Sequence, residues 1–233
     1  MLSQPAVPRR WPGATFVLLG SGPSLTQTDI DACRPQARVL AVNDTYRLAP
    51  WADVLFSADL AWWAAHPDAR ALPGLKYALP PVGQHRFSEV TVLGRHGQSG
   101  FSPDPHLLCS GGHSGYAAIN LAVHLGASRI VLLGYDMAPD QTGRHHFFGE
   151  HPNGSHPRYA QWTPLYATLL APLAARHIQL LNASRRTAIP HVPRRSLAEA
   201  LADSSPQSVT ASLGIPDPPR SSPPPLPQAV EAR

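Results

Sequence analysis

The chain has 233 residues, of which 43% are hydrophobic, so it is long enough to bury one core of ordinary domain size. Its formal net charge is +4, yet the basic residues are scattered arginines with a single lysine, and no compact basic run indicates a nucleic-acid surface. No apolar run approaches the roughly 18 residues of a membrane span, and Cys33 and Cys109, the only cysteines, show no metal-type spacing. These features predict a cytoplasmic protein without membrane or nucleic-acid partners.

The first predicted elements are a strand, a glycine loop and a capped helix start. Residues 14–19 form a short apolar run typical of a strand, and residues 26–31 resemble the start of a helix. The loop between them provides backbone N–H groups that can bind phosphate, although it lacks the glycine spacing of a dinucleotide fingerprint or a Walker loop. It is therefore either a structural turn or a phosphate loop. Its candidate ligand-binding residues are Gly20, Ser21, Gly22, Pro23 and Ser24.

The next segment alternates short strands with polar residues at their ends. Residues 38–43 are predicted to be a strand that ends at Asn43, and residues 53–57 to be a third strand. A helix is expected to begin just after Asp59, which is then either its N-cap or a ligand contact. Residues 73–105 are rich in Gly, Pro and His, contain two short strand-like runs at 76–79 and 89–93, and are expected to cross one edge of the sheet as an excursion.

A second loop of small residues precedes the most regular part of the chain. The residues 110–113 lead into a predicted helix at 114–125, and an apolar strand at 130–133 then ends near Asp136. A loop, an amphipathic helix and a buried strand that ends in an acidic residue are typical of phosphate-ligand sites in open α/β sheets. The candidate contacts here are Ser114, Gly115, Tyr116 and Asp136. We predict that the loop at 20–24 and the residues 114–116 lie side by side at the carboxyl edge of the sheet and flank one pocket, with the polar loop after Asp136 near them.

The predicted fold class is α/β, a Rossmann-like domain with a mostly parallel sheet and helices on both faces. The last core elements are a helix at about 164–176 and a strand at 178–182. We predict an N-terminal extension over residues 1–13, the nucleotide-binding transferase domain over 14–202, and a tail over 203–233. The tail is dominated by Ser and Pro and is expected to be disordered.

Four blocks of the sequence carry a resemblance to known proteins. They are residues 20–25, 41–44, 114–116 and 133–136. They resemble the MptE-like family, named for an archaeal 6-hydroxymethylpterin diphosphokinase, and its motility-associated glycosyltransferases. They are also similar to bacterial sialyltransferases of the Campylobacter type, while residues 48–55 with Trp62 and Trp63 resemble uncharacterised proteins of tailed phages and prophages.

The resemblance implies a sialyltransferase-like fold in a bacterium or a phage-infected host, and a role for each matching residue. Ser21 would take the place of the family asparagine in the phosphate loop. Asn43 would contact the nucleotide or sugar, and Ser114 with Gly115 would bind the donor phosphate. The implied cofactor is a nucleotide or nucleotide sugar whose identity the sequence leaves open, and the implied partner is an acceptor of unknown structure.

The polar loop at residues 143–154 is the main candidate for chemistry. In transferases of the sialyl type, a histidine late in the fold acts as general base, which suits an imidazole that titrates near neutral pH. His146 or His151 would take this role, and Arg144 would neutralise charge on the leaving nucleotide. Alternatively, His146, Glu150 and His151 join Asp136 as metal ligands, although their spacing matches no zinc motif, or the histidines only decorate a polar loop.

Three function classes follow from these observations. The first is a glycosyltransferase that moves a sugar from a nucleotide sugar to a hydroxyl. The second is an MptE-like diphosphokinase that uses ATP and Mg²⁺, with carboxylates from Asp44, Asp59 and Asp136. The third is a non-catalytic phage nucleotide-binding protein. The tryptophans Trp51, Trp62 and Trp63 either form a stacking wall for the ligand or pack in the core.

Overall fold

The computed structural model describes residues 5–79, 87–149 and 157–202. The segment 203–233, for which the composition predicts disorder, lies outside these ranges. The described strands are β1 (Ala14–Leu19), β2 (Arg38–Val42), β3 (Val54–Ser57), β4 (Leu75–Ala78), β5 (Thr91–Val92), β6 (Gly94–Gly97), β7 (Leu107–Cys109), β8 (Ala127–Leu133) and β9 (Gln179–Asn182). The α-helices are α1 (Gln27–Cys33), α2 (Leu60–Ala65), α3 (Pro67–Arg70), α4 (Ser114–Leu125), α5 (Tyr159–Trp162), α6 (Ala167–Ala174) and α7 (Leu197–Ala202). Two 3₁₀-helices span Asn43–Arg47 and Thr163–Tyr166.

A seven-stranded parallel sheet organises the fold, with the strand order β5-β4-β3-β2-β1-β8-β9. The chain runs outward from β1 to β5, and β8 then pairs with the other side of β1. The direction of winding therefore reverses between β1 and β8. In open parallel sheets such a reversal leaves a crevice at the carboxyl ends of the two strands. The predicted α/β class, with a parallel sheet flanked by helices, is confirmed.

Both faces of the sheet are buried, which explains why the strands are continuous apolar runs. In β1, Phe16 and Leu18 pack into one core together with residues of α4, whereas Val17 and Leu19 pack into a second core that includes Ile30 of α1. Alternate side chains of a strand point to opposite faces, so both sets must be apolar when helices cover both sides. Among the described helices, none combines the length and apolar character that crossing a membrane requires.

The two strand-like runs of the segment 73–105 are strands β4 and β5, and both belong to the main sheet. β4 pairs with β3, and β5 pairs with β4 at the sheet edge. The reason is burial: Tyr77 and Leu79 enter one core while Ala78 enters the other, as in a central strand. After β5, strand β6 leaves the main sheet and pairs with β7 in a separate two-stranded parallel ribbon.

The helix expected at about 164–176 begins earlier and is interrupted. The chain is helical from Tyr159, passes through the 3₁₀ turn Thr163–Tyr166 and continues as α6 to Ala174. Pro164 has no backbone N–H to donate, which accounts for a break in the α-helical ladder at this point. The interruption gives the segment before α6 its own direction, and this segment reaches the carboxyl edge of the sheet.

Candidate functional site

A cavity of about 640 Å³ opens at the carboxyl edge of the sheet, where the winding reverses between β1 and β8. Its walls come from the segments that follow β1, β2, β3 and β8, from the start of α4, and from residues 145–146 and 157–162. The two glycine loops predicted to share a pocket do so. The sequence candidates that line the cavity are Ser21, Gly22, Asn43, Asp59, Ser114, Gly115, Asp136 and His146.

Close packing against the end of β8 explains the glycines of the first loop. The Gly22 N–H donates to the Gly134 carbonyl at 2.8 Å. A Cβ at Gly20 would lie 2.7 Å from the same carbonyl, and a Cβ at Gly22 would overlap the Asp136 carboxylate. Both glycines are thus required by the fold itself, and Gly22 in addition faces the cavity.

Asp136 holds the far end of this loop. Its carboxylate accepts hydrogen bonds from the backbone N–H and the hydroxyl of Ser24, at 2.8 and 2.7 Å. The side chain is buried, and burial raises the pKa of Asp136 although the Ser24 hydrogen bonds oppose the rise. Within the described residues, the cavity wall does not include Gly20, Pro23 or Ser24, because Ser24 turns toward Asp136. The hydrogen bonds of Ser24 with Asp136 and of Gly22 with Gly134 form a clasp between the ends of β1 and β8. The ligand contacts of Gly20, Pro23 and Ser24 stay predictions that the cavity lining does not support.

Asn43 lies at the cavity and carries a buried side-chain oxygen without a described donor. It follows β2 with a left-handed φ of 52°, and it lines the cavity wall. Its side-chain oxygen is buried, and no described residue donates a hydrogen bond to it. A buried acceptor without a donor costs about 1–3 kcal/mol. Unfavourable backbone and side-chain states of this kind concentrate at binding sites, so Asn43 is suited to accept a hydrogen bond from a ligand.

The carboxylates expected to bind Mg²⁺ together are separated in the structure. Asp59 lines the cavity and is the predicted N-cap of α2, since it accepts from the Ala61 N–H at 2.8 Å. Asp44 does not line the cavity, and its carboxylate accepts a hydrogen bond from the Trp62 indole N–H at 3.0 Å. Asp136 is engaged by Ser24, as described above. In the described part of the chain, no group of three His, Cys, Asp or Glu side chains is placed to hold a metal ion.

The start of α4 forms part of the cavity wall. Gly111 and Gly112 adopt left-handed φ values of +56° and +78°, and they turn the chain into the helix. The Ser114 hydroxyl oxygen accepts from the Ala58 N–H at 3.1 Å, which ties α4 to the end of β3. The first N–H groups of an α-helix have no partner within the helix and favour an anion. Ser114 and Gly115 therefore lie where a phosphate group would be stabilised.

Tyr116 and Asn120 lie on a different side of α4 from the cavity. The Tyr116 hydroxyl contacts Thr168 Oγ1 at 2.8 Å, and the Asn120 side-chain oxygen accepts from the backbone N–H of Ser102 at 3.2 Å. Residues two apart on a helix point in different directions, so Tyr116 cannot share the orientation of Ser114. The expected ligand contact of Tyr116 is corrected to a packing role.

The polar loop after β8 lies against the first glycine loop. The Phe147 N–H donates to the Ser21 carbonyl at 3.0 Å, and the Ser21 hydroxyl and His146 Nδ1 are 3.0 Å apart. A hydrogen bond at one ring nitrogen orients an imidazole and sets which nitrogen carries the proton. Ser21 thus holds His146 in the cavity wall. Glu150 and His151, the other candidates of this loop, lie outside the described residues.

Arg144 does not reach the cavity. Its guanidinium forms two contacts of 2.8 Å with Asp140, and its side chain is exposed. Asp140 lies four residues earlier and also accepts from Thr142, so the loop satisfies this arginine locally. Two other arginines, Arg95 and Arg158, line the cavity, so the role of Arg144 at a leaving group stays a prediction that the cavity lining does not support.

An aromatic wall, which the sequence analysis missed, closes one side of the cavity. It consists of His113, Tyr135, Tyr159 and Trp162. The rings of His113 and Trp162 are 4.9 Å apart, and those of Tyr159 and Trp162 are 6.3 Å apart. Burial lowers the pKa of His113 to about 3, so its imidazole is neutral at pH 7. The spacing of Tyr159, Trp162 and Tyr166 by three and four residues was the sequence signal for this face.

The tryptophans considered for stacking in the sequence lie elsewhere. Trp62 and Trp63 are 7% and 0% exposed and belong to the core on the α1 side of the sheet. Trp51 packs under the guanidinium of Arg34, 4.9 Å from the ring centroid. Helix α2 buries its apolar side against the sheet, so the paired tryptophans stabilise the core and not a ligand.

Comparison of the chain with protein-family models, with curated proteins and with solved structures gives no match. The resemblance to the MptE-like and sialyltransferase-like groups therefore stays a prediction from sequence motifs. Any functional conclusion must depend on the geometry of the cavity.

Proposed function

We propose that the chain is a nucleotide-binding transferase that moves a sugar from a nucleotide-sugar donor to a hydroxyl acceptor, with His146 as general base. One observation carries the proposal. A single cavity at the reversal of the sheet joins the start of α4, the Asn43 acceptor, His146 and an aromatic wall. Phosphate, ribose hydroxyls and a planar base are the groups that such surfaces bind.

The chemistry can be assigned to residues of this cavity. The donor phosphates bind at the first turn of α4, beside Ser114 and within the field of Arg95 and Arg158. His146 accepts the proton of the acceptor hydroxyl as that oxygen forms a bond to the anomeric carbon. The bond from the same carbon to the phosphate oxygen breaks, and the negative charge that stays on the nucleotide is stabilised by N–H donors and arginines.

The geometry favours this function over the diphosphokinase. ATP chemistry of that kind needs carboxylates gathered around Mg²⁺. Asp44 accepts a hydrogen bond from Trp62, and Asp136 accepts hydrogen bonds from Ser24. Of the three carboxylates, only Asp59 has no described hydrogen bond to a residue outside its own helix. Its own role as the α2 cap holds it at the cavity rim.

Ligand-dependent stability tests the proposal. Melting temperatures are measured with CMP, UDP, GDP, ATP and nucleotide sugars, each with and without Mg²⁺, because a ligand that binds the native state raises the midpoint. We expect stabilisation by one nucleotide and its sugar conjugate without Mg²⁺, and slow release of that nucleotide from the conjugate. Stabilisation by ATP only with Mg²⁺ would contradict the proposal and support the kinase. Binding without any nucleotide release would indicate a non-catalytic binding protein.

A further inference from the structure

We propose that the aromatic wall is the nucleobase subsite of the cavity, with the Trp162 indole as its stacking platform. This inference rests on the proposed function and extends it, because it assigns the end of the cavity that binds the base. It also identifies the ligand class as one with a planar ring close to a phosphate.

Trp162 differs from the other tryptophans of the chain in its surroundings. Trp11, Trp62 and Trp63 are buried at 8%, 7% and 0% exposure, whereas Trp51 and Trp162 are half-buried. Of these five residues, Trp162 is the one that lines the cavity. A partly exposed indole in a concave site offers a large flat surface at little conformational cost.

The ring is held in place from two sides. His113 lies 4.9 Å away at an interplanar angle of 31°, and the Tyr159 ring meets the indole edge-on at 6.3 Å. Gly112 allows the indole to approach the backbone, since a Cβ there would lie 2.8 Å from Trp162 Nε1. The platform is therefore preorganised by packing and does not depend on a ligand for its position.

The location of the platform links it to the phosphate site. Gly112 touches the indole, and Ser114, two residues later, begins α4. In a nucleotide, only the ribose separates the base from its first phosphate, so one molecule can stack on Trp162 while its phosphate meets the helix start. Stacking on an aromatic ring is tolerant of base identity, because every base has a π-face.

The assignment is tested by measuring how tightly the full-length protein binds phosphorylated ligands with and without a nucleobase. The probes are CMP, UMP, AMP and GMP, with ribose 5-phosphate as the compound that lacks a base. Removal of a stacking platform weakens base binding by roughly 10-fold to 100-fold. We expect Trp162→Ala to bind the monophosphate that the wild type prefers roughly 10-fold to 100-fold more weakly, and to bind ribose 5-phosphate as the wild type does. Trp162→Phe, which keeps an aromatic ring, should bind the monophosphate nearly as tightly as the wild type. Trp51→Ala is the matched control, since Trp51 is equally half-buried but lies outside the cavity wall.

The possible results distinguish a failure of the nucleobase subsite from a failure of the proposed transferase function. Unchanged monophosphate affinity in Trp162→Ala, with wild-type binding intact, would overturn the subsite and leave the proposed function standing. A loss confined to the nucleotide sugar would also overturn it, because the indole would then stack on the donor sugar. If the wild type binds none of these nucleotides, the proposed function itself fails. Should Trp162→Ala not fold by circular dichroism, Trp162→Leu removes the π-face while it keeps apolar volume, and the same loss is expected.

Discussion

His146 is the side chain on which the proposed chemistry depends. We expect His146→Ala to lower the rate of nucleotide release by roughly 10²-fold to 10⁴-fold, because the acceptor proton then has no base. Nucleotide affinity should stay nearly unchanged, since a general base contacts the acceptor hydroxyl and not the nucleotide donor. Single-turnover kinetics together with calorimetric titration separate the two effects. The control is His96→Ala, because His96 is an exposed histidine in β6.

The sequence makes His151 the second candidate base, and the corresponding variant belongs in the same series. Normal turnover in both His146→Ala and His151→Ala would contradict a histidine base in this loop. Loss of affinity only in the presence of a divalent ion would instead indicate a metal site and favour the diphosphokinase.

Ser114 has a structural and a binding role that one substitution can separate. Ser114→Ala removes the acceptor of the Ala58 N–H and a donor at the phosphate site. We expect about 1 kcal/mol lower stability and a Kd for the nucleotide about fivefold higher. Ser128→Ala removes a hydrogen bond to the Gly13 carbonyl at 2.7 Å and is the control. An equal change of affinity in both variants would show that only stability matters.

His113 should make the stability of the protein depend on pH. Burial lowers the pKa of His113 from 6.5 to about 3, so between these values the unfolded chain binds a proton that the folded chain does not. The free energy of unfolding should therefore fall as the pH falls through this range, by up to about 1.4 kcal/mol per pH unit for one group. His113→Phe should flatten this dependence in urea titrations at pH 7, 5.5 and 4.5. A wild-type slope in the variant would contradict the assignment, and exposed His96→Phe is the control.

Among the contacts between elements, the clasp of Gly22 and Ser24 with Gly134 and Asp136 ties the end of β1 to the end of β8 beside the cavity. Gly22→Ala would place a Cβ against the Asp136 carboxylate and the Gly134 carbonyl. We expect a loss of about 1–3 kcal/mol of stability from overpacking, measured by denaturant unfolding. Gly97→Ala adds a Cβ where no atom lies within 4 Å, so it is the matched control. Equal stability of the two variants would show that the clasp can relax.

The segment from α5 to α6 shows why one element escaped the sequence analysis. A helix was predicted from about Pro164, but the structure is helical from Tyr159. α5 is a single turn of four residues, so its aromatic spacing is recognisable only when it is combined with Tyr166 of the following turn. Its aromatic residues nevertheless form the wall of the cavity, which makes this turn important for binding.

At the scale of the whole molecule, α7 is the last described element and the boundary of the predicted tail. Deleting residues 203–233 should leave the melting temperature unchanged, because the composition of this segment offers little apolar surface to bury. Deleting residues 197–233 should lower it, since Leu201 of α7 is 3% exposed in the core. A lower melting temperature in the shorter deletion would contradict the predicted domain boundary.

The class of fold and the edge of the sheet that carries the cavity are both predictable from local sequence patterns. Apolar runs that alternate with helix starts indicate a parallel sheet, and loops that follow parallel strands must meet at one edge. Ser21, Asn43, Ser114 and His146 were placed together for that reason, and the cavity contains them all.

Which side chains face the cavity depends on packing between segments that are distant in the sequence. Arg144 is satisfied by a neighbour four residues away, and Tyr116 points to the opposite side of its helix from the ligand space. Conversely, Trp162 enters the wall from a turn far along the chain from both glycine loops. Side-chain direction and competing partners depend on contacts between distant segments, and a linear pattern does not encode these contacts.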